Sequence, residues 1–80
     1  MTTDARIHTL VVDAIDEAAA AHVAFEDLYA RNGHTVDNAT TVLFKHAFVT
    51  GYLTRCVNAG TLDAPQLKEA FDYYRAVSRR

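Results

Sequence analysis

Two histidines, His22 and His46, are the residues of this 80-residue sequence best suited to chemistry. Each lies in an apolar helical pattern, and folding the chain back near residues 34–35 places them at nearly the same level. A facing pair of imidazoles inside a helical bundle can hold a metal ion or a haem. The sequence therefore offers His22 and His46 as candidate metal ligands.

A plainer interpretation makes the same histidines two partly buried, neutral imidazoles that hydrogen-bond to a tyrosine, to Thr50 or to each other. A metal site normally needs three or four ligands, and Glu26 is the only nearby acid. The register argument brings Tyr73 or Tyr74 to His46. A third hypothesis is a bundle that loosens when a buried histidine is protonated. No cofactor is predicted.

No residue pattern in the chain predicts catalysis. The single cysteine, Cys56, has no histidine or other base one helical turn away, so it is interpreted as apolar filler. Paired carboxylates at a pocket, Ser-His-Asp arrangements and phosphate-binding loops are absent as motifs. We therefore expect no enzyme. One cysteine also excludes an internal disulfide and fits a reducing cytoplasm.

The periodicity predicts one all-α domain over residues 1–80, a three-helix up-down-up bundle with a long first helix. The helices are expected at about 4–31, 38–58 and 64–78, after a frayed segment 1–3 and before a basic tail, Arg79 and Arg80. Thr3 or Asp4, then Thr35 or Asp37, are the candidate N-caps of the first two helices. The third should begin with a capping box.

The second helix is apolar on two opposite sides. One side is aliphatic and includes His46, and we expect it to contact the first helix beside His22. The other side is aromatic, with Phe44, Phe48 and Tyr52 at intervals of four. We expect the third helix and a second chain to share this aromatic side, because a helix apolar nearly all round needs cover on both sides.

Helix lengths predict self-association. At 1.5 Å per residue the three helices measure roughly 42, 30 and 24 Å, so antiparallel folding should leave part of the first helix without cover. We expect the uncovered part to be N-terminal, and exposed apolar stripes mark association. The predicted protein is a homodimer or higher oligomer. Its interface is expected to use the N-terminal half of the first helix, with Ile7, Leu10 and Val11, the aromatic side of the second helix, with Phe44, Phe48 and Tyr52, or both.

The sequence supports two hypotheses for function. The first is a small, non-enzymatic protein–protein interaction or regulatory module, acting as a helical homodimer in the cytoplasm and contacting another protein. The alternative is a metal- or cofactor-binding bundle that uses His22 and His46. A small DNA-binding regulator is a weaker third reading.

Charge and hydropathy argue against two other classes of partner, nucleic acid and membrane. Residues 1–40 carry seven acids and two bases, a net −5, whereas residues 41–80 carry six bases and three acids, a net +3. The whole chain carries −2, so a nucleic-acid partner is not expected. No run of about 18 uncharged apolar residues predicts a membrane span.

Overall fold

The computed structural model describes residues 4–78, which form three helices: α1 (Ala5–Arg31), α2 (Asn38–Asn58) and α3 (Ala64–Ser78). No strand occurs within this described range. The predicted all-α bundle of three helices is confirmed, and each helix begins and ends within one residue of its predicted bounds. The expectations for residues 1–3, and for Arg79 and Arg80, lie outside the described residues.

Side-chain caps explain where the first two helices begin. The Asp4 carboxylate accepts a hydrogen bond from the backbone N–H of Arg6 at 2.8 Å. The Asp37 carboxylate accepts one from the backbone N–H of Thr40 at 2.7 Å. Each bond satisfies an N–H group that has no partner within the helix. Asp4 and Asp37 are thus the N-caps among the predicted alternatives.

The third helix begins with the predicted capping box. The backbone N–H of Gln66 donates to the Asp63 carboxylate at 2.8 Å, and the backbone N–H of Asp63 donates to the Gln66 side-chain oxygen at 2.9 Å. Gly33 and Gly60 follow α1 and α2 with φ of 79°, the left-handed conformation that ends helices at glycine. Local chemistry therefore fixes both connections.

The cap on α2 makes the stability of the protein sensitive to acid. Hydrogen bonds from Thr40 hold the pKa of Asp37 below its ordinary value. A carboxyl with a lowered folded pKa stabilises the fold above its unfolded pKa, near 3.9, and loses that contribution as pH falls through the folded pKa. Asp37→Asn keeps a good cap but cannot titrate, so we expect a smaller fall in melting temperature between pH 5 and pH 2 than in the wild type.

Melting curves by circular dichroism at pH 5, 4, 3 and 2 measure this difference. Asp16→Asn, which removes an exposed acid from the middle of α1, is the matched control and should keep the wild-type acid dependence. Equal acid dependence in Asp37→Asn and the wild type would contradict the role given to the cap.

The core is one cluster in which all three helices take part. α1 contributes Ile7 and Val11, both fully buried, together with two small residues that allow close helix approach. The two small residues of α1 are Ala14 and Ala18, and the other members come from α2, the α2–α3 loop and α3: Val49, Leu53, Leu62, Ala70 and Tyr74. α3 packs on the N-terminal half of α1, where the rings of His8 and Tyr73 lie 5.2 Å apart.

This arrangement corrects the prediction that the N-terminal part of α1 is uncovered. Ile7 and Val11 are core residues, and Leu10 is partly buried against the same cluster. The reason is connectivity. The short α2–α3 loop starts α3 beside the end of α2, and that end lies next to the beginning of α1. Leu62 and α3 therefore cover the stretch that α2 is too short to reach.

The contact between α1 and α2 corrects the assignment of the two sides of α2. Phe44 stacks on Phe25 of α1, with ring centroids 4.7 Å apart, and burial together with the Glu17 carboxylate of α1 raises the pKa of Tyr52. The aromatic side therefore packs on α1. Val49 and Leu53 of the aliphatic side join the shared core, whereas the rest of that side near the start of α2 is exposed. Phe48 and Tyr52 are partly buried against the core and Phe44 lies in this contact, so intrachain packing already uses the predicted interface.

α3 is too short to follow the other two helices along their whole length. It has 15 residues against 27 in α1, or about 22 Å against about 40 Å. Its last residues, Val77 and Ser78, lie beside Ala18 of α1 and Lys45 of α2. Beyond this point the chain continues as two helices and their loop, residues 19–44, which we call the two-helix end.

Candidate functional site

His22 is the one buried polar side chain of the described core and joins α1 to α2. Its Nε2 lies 3.0 Å from the Thr41 hydroxyl, and its Nδ1 lies 2.8 Å from the Glu26 carboxylate. Glu26 follows His22 by one helical turn, the spacing that places two side chains on one face. Phe44 and Phe25 lie against the ring, with centroids 5.7 and 6.3 Å away. His22 therefore links α1 to α2 through its hydrogen bond with Thr41.

His46 has a separate partner on α3. Its Nδ1 lies 2.6 Å from the Tyr74 hydroxyl, and the two rings meet edge to face with centroids 5.3 Å apart. Burial raises the pKa of Tyr74, and its hydroxyl can donate to Nδ1. The prediction that Tyr73 or Tyr74 reaches His46 is confirmed for Tyr74.

The two histidines belong to different helix contacts, His22 to α1–α2 and His46 to α2–α3. This differs from the expected placement of His46 opposite His22, because the aromatic side of α2 faces α1 and turns His46 toward α3. Within residues 4–78, no three histidine, cysteine, aspartate or glutamate side chains cluster closely enough to hold a metal ion. The metal hypothesis for His22 and His46 therefore gains no geometric support.

The hydrogen bonds of His22 also bear on the idea of a pH-dependent bundle. Glu26 offers a carboxylate to Nδ1, and the Thr41 hydroxyl can either donate to Nε2 or accept from it. Both ring nitrogens of His22 thus have a polar partner in the observed geometry. Loosening of the bundle at low pH stays a prediction.

The exposed side of α3 has little cationic character for nucleic acid. Lys68 pairs with the Asp72 carboxylate at 3.1 Å, and Arg75 pairs with the same carboxylate. The hydrogen bond from Lys68 has the larger effect on Asp72 and that from Arg75 the smaller, and both hold the pKa of Asp72 below its ordinary value. Both bases therefore share a single carboxylate on their own helix.

The largest exposed apolar side chains concentrate at the two-helix end. Leu43 is 69% exposed and Val42 50% exposed on α2, and Leu28 is 58% exposed on α1. Val23 and Tyr29 are also exposed there, whereas Val12 is the one large exposed apolar residue of the described chain outside this end. The two-helix end is thus the candidate interaction surface.

Sequence reasoning missed this surface, although a signal for it existed. The lengths of the helices correctly indicated that one end of the bundle remains uncovered, but they do not say which of its two ends this is. The side on which α3 begins decides that question, because α3 covers whichever end its loop starts from. Leu43 and Val42 belong to the aliphatic side of α2, which the sequence had assigned to α1.

Within the described residues, no helix combines the length and hydropathy needed to cross a membrane. Comparison with known proteins found no matching family model, no matching curated protein and no matching solved structure. The fold and the exposed apolar residues of the two-helix end are therefore the features that can indicate a function.

Proposed function

We propose that the protein is a small, non-enzymatic interaction module that acts as a helical homodimer, with the two-helix end as its dimer contact. The observation that carries the proposal is the exposure of Leu43, Val42 and Leu28 on neighbouring helices at one end of the molecule. Exposed apolar residues grouped in this way are typical of association sites. A second copy would supply the cover that α3 supplies elsewhere.

Two further features support this proposal. A homodimer contact uses the same surface on both copies, and exposed residues of the two-helix end can take part in one without disturbing the shared core. A small chain also gains stability from association, since a single core of this size supplies only about 3–5 kcal/mol. A regulatory role and a cytoplasmic location are parts of the same proposal, and the free Cys56 fits the reducing environment of a cytoplasm.

Size-exclusion chromatography with light scattering tests the dimer. At tens of micromolar the wild type should elute with twice the chain mass, and Leu43→Glu should elute as a monomer with unchanged helix content, because a buried carboxylate in the contact is costly. A wild type that stays monomeric at this concentration would overturn the proposal.

Thr50→Glu is the matched control for this experiment. Thr50 is exposed on the same outer side of α2 but lies two helical turns further from the loop, outside the two-helix end. We expect Thr50→Glu to remain dimeric. If it dissociates and Leu43→Glu does not, the contact lies along the bundle and not at its end.

A further inference from the structure

A cavity of about 320 Å³ lies where α3 ends against the other two helices. All three helices contribute to its wall, and the apolar members are Ile15, Ala18, Val49, Tyr74 and Val77. This volume is at the lower limit of the roughly 300–1,000 Å³ usual for small-molecule sites. The cavity therefore suits a ligand smaller than most drugs and most cofactors.

The polar groups at the cavity are few, and only one is uncommitted. The Tyr74 hydroxyl is engaged by His46 at 2.6 Å, and the Ser78 hydroxyl donates to the backbone oxygen of Arg75 at 3.3 Å. Lys45 is the only charged residue in the wall, and it makes no ion pair with any carboxylate of residues 4–78. The cavity is thus an apolar space with one free ammonium group.

No carboxylate lines the cavity beside Lys45. Glu26 lies further along α1, where its carboxylate pairs with His22 at 2.8 Å, and it is not part of the cavity wall. Lys45 is partly buried and shares the cavity wall with mostly apolar residues. A carboxylate that reached the ammonium group would gain a charge-assisted hydrogen bond in a partly desolvated place.

From this combination we infer that the cavity binds a small apolar monocarboxylate, with its carboxylate on Lys45 and its hydrocarbon part against Ile15, Val49 and Val77. Linear medium-chain carboxylates such as octanoate have the required chemistry. This site is separate from the proposed dimer contact, since its wall lies at the level where α3 ends. It can therefore exist whether or not the protein dimerises.

Titration of the full ¹⁵N-labelled chain with sodium octanoate, followed by amide chemical shifts, tests the inference. We expect saturable shifts that centre on Ala18, Val49 and Val77. Octanol, which has the same hydrocarbon part without the charge, should bind about tenfold more weakly, because a hydrogen bond to a charged group contributes about 1.5 kcal/mol or more.

Two substitutions separate a site at Lys45 from general hydrophobic binding. Lys45→Met keeps the apolar stem and removes the charge, and we expect it to weaken octanoate binding about tenfold without changing octanol binding. Lys68→Met, on the exposed side of α3, is the control and should bind like the wild type. Equal binding of octanoate and octanol, equal binding by Lys45→Met and the wild type, or no saturable shift at millimolar octanoate would each overturn the inference.

Discussion

Replacing Leu53 with alanine is expected to lower the free energy of unfolding by about 2–5 kcal/mol, the cost of removing a large buried aliphatic side chain from a core. Leu53 is fully buried in the cluster that all three helices share. A domain of this size has little stability in reserve, so the variant should be largely unfolded at 37 °C.

Leu43→Ala is the matched control, because it is the same substitution in the same helix at a side chain that is 69% exposed. Its cost should stay within about 0.5 kcal/mol. Urea denaturation followed by far-ultraviolet circular dichroism, at one low protein concentration, gives both values and keeps association from contributing. Equal losses in the two variants would mean that α2 is rotated relative to the arrangement described above.

Replacing Ile7 with alanine is the second change with a large expected effect, again about 2–5 kcal/mol. Ile7 is fully buried, and the cluster that buries it includes Leu62 and residues of α3. Because this cover comes from the same chain, the loss of stability should be the same at every protein concentration.

Concentration dependence is the measurement that decides between a core and an interface role for Ile7. A residue in a dimer contact would lose its effect on stability as the protein is diluted, whereas a core residue would not. Val12→Ala, at an exposed position of α1, is the control and should cost little. An Ile7→Ala penalty that disappears on dilution would restore the interface that the sequence alone suggested.

The features that the sequence predicted correctly are the local ones. Asp37, Asp63 and Gln66 act on backbone groups within three residues of themselves, so their capping bonds follow from the sequence without knowledge of the rest of the chain. Helix bounds and both glycine C-caps were predicted for the same reason. The approach of a tyrosine to His46 spans 28 residues and was predicted from register instead, because short connections leave little freedom in how far the helices slide.

The orientation of each helix about its axis was not predictable in this way. α2 is apolar on two sides, so hydrophobicity alone permits either side to face α1. Phe44 packs on Phe25 and His22 in the folded molecule, and this choice turns His46 toward Tyr74. Side-chain shape across the α1–α2 contact decides between two orientations that hydrophobic pattern cannot separate.

The sequence by itself thus determined three helices, their ends and their order, because those depend on interactions between near neighbours in the chain. The tertiary structure alone decided that His22 and His46 have separate partners, that Ile7 and Val11 lie in the core, and that Leu43 and Val42 remain exposed. The physical reason is that burial depends on which helix covers which end. Here the short α2–α3 loop starts α3 beside the beginning of α1, and α3 ends before it reaches the two-helix end.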